Sequence, residues 1–149
     1  FDYPSGDENI YRAYTGTGGV TVGGLAKRLI LAAHFGSSKI LLSGDIGGES
    51  RILYHRNILE RATKAFPFLV FDRDPYMVVS DSGSLHWIMD AYTTTSRYPY
   101  AFRANDGTAY IRNSVKLVID AYDGTVQPFV ADANDPLVQT WAKIFPGVF

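Results

Sequence analysis

The sequence predicts an α+β fold, in which an antiparallel sheet is packed on one face by helices. Two observations carry this. Apolar residues recur at helical spacing in the first half of the chain and again near its end, while between them two turn signals separate four β-prone runs. Helices, then strands, then a helix give segregated layers rather than the βαβ alternation of a parallel sheet. The length of 149 residues suits a single domain spanning 1–149, or one domain with a docked extension.

Taken in order, residues 1–20 read as irregular, with turn chemistry in Asp2-Tyr3-Pro4-Ser5-Gly6-Asp7 and again at Gly16, Gly18 and Gly19. A helix follows over about 22–35, because Val22, Leu25, Ala26, Leu29, Ile30 and Ala33 share a face and Gly36 is a fitting terminator. Lys39 to Asp45 reads as a short helix, and Gly47-Gly48 breaks the chain. A second long helix is expected over about 49–65. Its stripe is Ile52, Leu59, Ala62 and Phe66, with His55 on the same stripe and Pro67 as its stop. Glu60 and Lys64 form a favourable i,i+4 pair on its other side.

The period then changes. Tyr76 to Ser80, the turn Asp81-Ser82-Gly83 and the alternating run from Leu85 read as one hairpin, about 76–92. Val115 to Tyr122, Asp123-Gly124 and Thr125 to Val130 read as a second, about 115–130. Pro128 cannot donate to a ladder, so the last strand belongs at an edge. Asp135-Pro136 is a cap followed by a first-turn proline, opening a helix over about 136–144.

Composition narrows the function classes. A net charge of -1 gives no basic field for nucleic acid. The absence of cysteine removes thiol catalysis, disulfides and Cys-based metal sites, and fits an outside compartment. No apolar run approaches the roughly 18–20 residues needed to span a bilayer, so direct membrane insertion by this segment is not expected. The lack of an initiating Met or signal peptide suggests that Phe1 is a processing boundary. Ten Tyr, nine Phe and two Trp are a heavy aromatic load, with core filling as its default use.

Few motifs survive inspection. Gly16-Thr17-Gly18-Gly19 begins like a dinucleotide loop, but Thr21 stands where the third Gly belongs and no strand precedes it. His34, His55 and His86 form no metal-ligand spacing, and Asp72-Arg73-Asp74-Pro75 departs from the calcium pattern at Tyr76. No metal or cofactor is expected. Arg51, Arg56 and Arg61 can hold phosphate or carboxylate, although a solvated helical face is the simpler reading.

One candidate surface remains. Leu85, Trp87, Met89 and Ala91, with Val115, Leu117, Ile119 and Ala121, would form the core face of the sheet. The other face carries His86, Ile88, Asp90 and Tyr92 beside Lys116, Val118, Asp120 and Tyr122. Antiparallel sheets often leave one face to water, and this reading is the stronger. The functional reading makes it a shallow binding surface, together with Arg97 and Tyr98 in the Tyr-rich loop from Tyr92 to Tyr100.

Several phrases taken together resemble a known family. They are Glu49-Ser50-Arg51-Ile52-Leu53, Asp72-Arg73-Asp74-Pro75-Tyr76, Trp87-Ile88-Met89-Asp90-Ala91-Tyr92 and Arg97-Tyr98-Pro99-Tyr100. Tyr110-Ile111-Arg112-Asn113-Ser114-Val115-Lys116, running on to Asp120-Ala121-Tyr122-Asp123-Gly124, is the strongest, and Ile144-Phe145-Pro146-Gly147 closes the series. The chain resembles uncharacterised protein family 0182 of bacterial multipass membrane proteins over nearly its whole length. The resemblance implies a longer parent with several transmembrane helices, of which this chain is an excised, extracytoplasmic segment. Its partners would be the transmembrane part of its own parent or another envelope protein. No activity or catalytic residue comes with the family. The expected role is therefore a ligand- or partner-binding module. The alternatives are a structural or oligomerisation domain, or a cell-envelope hydrolase or transferase using Asp90 and Asp120.

Overall fold

The computed structural model of the chain describes residues 3–10 and 13–149. Phe1, Asp2, Tyr11 and Arg12, which the expectation of an irregular 1–20 includes, lie outside them. The fold is α+β. Its centre is a five-stranded antiparallel sheet of β5 (Val70–Phe71), β6 (Tyr76–Val79), β7 (Leu85–Thr95), β8 (Tyr110–Asp120) and β9 (Val126–Val130). The order is β5-β7-β8-β9, with β6 also paired to β7. Both expected hairpins are present, and β9, which carries Pro128, is an edge strand.

The core face is largely the one the alternation predicts: Met89, Ala91, Val115, Leu117 and Ile119 are all fully buried. Leu85 is a correction, being 44% exposed at the first position of β7. Ala121 is likewise only half-buried, since β8 ends at Asp120. A bulge between Ala91 and Tyr92 shifts the β7–β8 register, so Ser114 and Val115 are both buried and strict alternation fails there.

Two helices cover this face. Helix α4 (Pro136–Ile144) has the predicted bounds and buries Val138. Its cap Asp135 is fully buried and binds the sheet as well as the helix. The carboxylate accepts from Tyr110 Oη at 2.7 Å, Thr93 Oγ1 at 2.5 Å and Leu137 N at 3.0 Å. Burial alone would raise its pKa, but these donors outweigh burial and lower it, with help from Ser114, whose oxygen is buried nearby without a strict hydrogen-bond partner. Phe68 stacks on Trp141 at 4.4 Å and on Phe145 at 5.3 Å, fixing the far end of α4.

The second covering helix, α3 (Ile58–Ala65), is shorter than the 49–65 predicted. Arg51–Ile52 instead forms β4, paired with β3 (Val20–Thr21), and His55 precedes the helix at φ 51° rather than lying on its stripe. The reason is local. Asn57 caps α3 by accepting from Glu60 N at 3.0 Å, so the helix cannot extend backward through it in helical geometry. Asn57→Ala should lower stability by about 1 kcal/mol, read as a shift in the urea midpoint at unchanged slope.

A hairpin and two helices complete the described elements. Tyr3–Ser5 (β1) and Glu8–Ile10 (β2) form a hairpin where no strand was expected. Helix α1 (Leu25–Phe35) ends at Gly36 as predicted, with φ 62°, and α2 (Lys39–Leu42) packs beside it. Val22, expected on that helix, is buried in extended chain and donates to Ser50 O at 2.8 Å.

Candidate functional site

An open cleft of about 510 Å³ lies where α3, the β3–β4 pair and the β8–β9 turn meet, and this volume falls in the range of small-molecule sites. Its floor is apolar, with Leu53, Ile58, Trp87, Ile119 and Val126. Its rim is polar and carries His55, Arg56, Arg61 and Lys64. Each comes from the short segment that sequence periodicity assigned to one helix. The break before Asn57 turns His55 and Arg56 toward the cleft, while the capped α3 presents Arg61 and Lys64 from one face.

The glycine run beside the cleft is a built clasp. Asp123 in the β8–β9 turn accepts from Tyr14 Oη at 2.8 Å, from Thr17 N at 3.1 Å and from Thr17 Oγ1 at 3.1 Å. Arg51 closes the other side, with Nη1 donating to the carbonyls of Thr17, Gly18 and Gly19 at 2.8, 3.0 and 3.3 Å. A β-carbon at Gly16 would lie 2.1 Å from Asp123 Oδ1, and one at Gly18 would lie 2.2 Å from the Asp123 carbonyl. The glycines are therefore needed for close approach, and the loop is neither a dinucleotide fingerprint nor slack. The Tyr14 hydrogen bond leads the interactions that hold Asp123 below the usual carboxylate pKa, while desolvation, followed by that bond, pushes the Tyr14 phenol up.

The rim cations differ in what they already hold. Arg61 is committed to backbone, donating to the carbonyls of Gly124, Tyr54 and His55. Lys64 Nζ lies 3.9 Å from Glu60, a loose pair, while Glu60 is held more closely by His55 Nδ1 at 2.7 Å. Arg56 is exposed, and among the described residues no carboxylate pairs with it. The lining acids are differently placed: Asp120 Oδ1 accepts from Tyr122 N at 2.8 Å and Asp123 N at 2.6 Å, and Asp123 serves the clasp. Arg56 and Lys64 thus reach the cleft without a close carboxylate contact, while Asp120 and Asp123 keep their negative charge in its lining. Among the described residues, no serine lines the cleft beside His55.

The residues singled out from sequence are dispersed. Asp90 and Lys116 are cross-strand neighbours on the outer sheet face and form an ion pair. That hydrogen bond is the main cause raising the Lys116 pKa. His86 faces Asp120 across the ladder, its buried Nδ1 finding no hydrogen-bond partner among the described residues, and Tyr92 is half-buried. Asp120 is opposite His86, four residues along β7 from Asp90, which is roughly 13 Å at strand rise. The two carboxylates do not converge. Tyr122 belongs to the clasp, where its hydroxyl accepts from Thr15 N at 3.2 Å and its ring meets Tyr14 at 5.1 Å. Tyr98 stacks on Tyr110 at 4.7 Å, and Arg97 is exposed beside it. Of the cleft residues, sequence reasoning singled out Asp120 and Tyr122 on the sheet face, and named Arg56 and Arg61 as able to hold an anion although a solvated helical face was the simpler reading. It missed Lys64 and Trp87 as site residues, and for Lys64 the Asn57–Glu60 cap is the signal that breaks the expected continuous helix.

The chain has an α+β fold with an open cleft whose lining includes Arg56, Arg61 and Lys64. The chain matches the model of "Uncharacterised protein family (UPF0182)" over residues 1–149, and it belongs to that family. It is 50% identical over its full length to a UPF0182 protein of Pelotomaculum thermopropionicum, of which it covers 16%. It is 54% identical to one of Geobacter sp. strain M21, covering 17%, and 55% identical to one of Cupriavidus necator, covering 16%. The chain thus spans about one sixth of the length of these relatives. No solved structure matches it.

Proposed function

We propose that this domain is a binding module whose ligand is an anionic amphiphile, with a carboxylate or phosphate head and an apolar body. The observation that carries this is the pairing of Arg56 and Lys64 on the rim with the Trp87, Ile119 and Val126 floor. The head would sit between the two cations and the body would displace water from the floor. The clasp supports the reading, because it holds the turn and the β3–β4 pair rigid before any ligand arrives, reducing the ordering cost of binding. The test is calorimetry with octyl phosphate, octanoate, octanol and octylammonium. The two anions should bind at least tenfold more tightly than octanol and lose that advantage in Arg56→Gln/Lys64→Gln. Equal binding of octanol, or no anion binding, overturns the proposal.

The setting belongs to the same reading: an extracytoplasmic segment of a multipass membrane protein, partnered by its own transmembrane part or another envelope protein. The family resemblance supports it, as do the relatives' greater length and the lack of cysteine. No helix among the described residues is long and apolar enough to cross a membrane, so spans would belong to the rest of the parent. Alkaline phosphatase and green fluorescent protein fused at this segment in an intact parent should give phosphatase activity without fluorescence. The reverse pattern would place the segment inside.

A further inference from the structure

His55 is set apart in the cleft by both its backbone and its ring. Among the described residues only His55 and Tyr100 combine a side chain with positive φ, and at His55 the angle is 51°. This left-handed conformation is unfavourable for a histidine and persists where the surroundings hold it, often at a binding site. Here Arg61 holds it, with Nη1 donating to the carbonyls of Tyr54 and of His55 itself at 3.3 Å each. The ring is fixed as well. Glu60 Oε1 lies 2.7 Å from Nδ1, and the Tyr54 ring meets the imidazole at 4.8 Å.

The tautomer follows from the partner. An ionised carboxylate only accepts, so Nδ1 gives its proton to the bond with Glu60. Nε2 is then left without a hydrogen bond among the described residues, an acceptor in the neutral ring and a donor in the charged one. Lys64 Nζ lies 3.9 Å from the same Glu60 Oε1, which makes ring and ammonium neighbours, and Arg56 is next in the chain. The other charged groups of the lining are Arg61, committed to backbone, and the carboxylates of Asp120 and Asp123. The phenols of Tyr54 and Tyr122 complete its titratable groups.

Granted that the cleft holds an anionic head, on which this rests, the geometry points to a phosphate monoester as that head, sharing one proton with His55 Nε2. A phosphate monoester has three terminal oxygens, enough for Arg56, Lys64 and His55 together. It is also matched to imidazole in basicity, since an alkyl phosphate and an imidazole each ordinarily give up a proton at roughly pH 6–6.5. The proton bridges the two whichever holds it, as P–OH to Nε2 or as Nε2–H to P–O⁻. Other heads lack one half of this fit. A carboxylate or a phosphate diester has two terminal oxygens. A sulfate monoester has three but is too weak a base to keep the proton, so the lone pair of a neutral Nε2 would face an oxygen lone pair.

The experiment is calorimetry at about pH 7.5, above the ordinary range of both groups, with octyl phosphate, octyl sulfate, methyl octyl phosphate and octanol. Each titration is run in two phosphate-free buffers of different ionisation heat, so that proton uptake is read with affinity. His55→Asn is the variant, because asparagine tolerates the left-handed backbone, and slow β7–β8 amide exchange checks that both chains are folded. Octyl phosphate should bind at least tenfold more tightly than octyl sulfate or methyl octyl phosphate, and with uptake of about one proton. His55→Asn should abolish the uptake and weaken octyl phosphate at least fivefold, while octyl sulfate changes less than twofold. If all three anions bind more tightly than octanol but alike, the cleft remains an anion site and the monoester assignment is overturned. A monoester preference without proton uptake, or with uptake that survives His55→Asn, overturns it too. If no anion binds more tightly than octanol, the anion reading of the cleft falls first and this assignment with it.

Discussion

Asp135→Ala is expected to remove about 3 kcal/mol of stability, roughly 10 °C in melting temperature, with loss of α4 docking. The carboxylate is fully buried and serves three donors on three elements, Thr93 on β7, Tyr110 on β8 and Leu137 at the start of α4. Alanine removes the cap and leaves the hydroxyls without their acceptor, and the second loss is the larger. The pH dependence fixes the sign. The folded pKa lies below the unfolded value of about 3.9, so the charged form is favoured by folding. This contribution is complete above about pH 4 and is lost as pH falls through the folded pKa. Denaturation midpoints between pH 2 and 5, measured for the native chain and Asp135→Asn, should converge toward the acid end. Parallel curves would show that Asp135 does not hold α4.

The second large effect is expected at Gly18. Its missing β-carbon leaves the Asp123 carbonyl room, and alanine there would place a carbon 2.2 Å from that backbone oxygen. Backbone cannot turn aside as a long side chain can, so Gly18→Ala should cost on the order of 2–3 kcal/mol and open the clasp. The amides of Thr17 and Gly18, which donate to Asp123 and to Tyr14 Oη, should then exchange much faster with solvent. The control is Gly48→Ala, where a β-carbon meets nothing within 4 Å. Equal effects at the two positions would mean that close packing is not what the run Gly16-Thr17-Gly18-Gly19 provides.

The sheet was legible in the sequence because one face is buried, and burial imposes alternation. Met89, Leu117 and Ile119 follow it, as do the turn at Asp123-Gly124, Pro128 at the edge and the Asp135-Pro136 helix start. The region 49–65 was misread because Ile52, Leu59, Ala62 and Phe66 are compatible with helical spacing although a strand and a loop intervene. The cap at Asn57 decides the matter, and a cap is one side chain against a four-residue stripe. Strands β1 to β5 are two or three residues long, too short to show a period. The clasp was illegible for another reason. Asp123 and Thr17 are 106 positions apart, and nothing local in either marks the other. The outer-face residues His86, Asp90, Lys116 and Asp120 were placed on the correct face, but facing residues is not converging chemistry.

The most direct test of the central claim is heteronuclear NMR during a titration of the folded chain with octyl phosphate. The Trp87 indole and the side chains of Arg56 and Lys64 should shift together along one saturable curve, while Asp90, Lys116, Arg97 and Tyr98 stay in place. Shifts confined to Asp90, Lys116 and their neighbours on the outer face, or none that saturate, would contradict the assignment of the cleft as the binding site.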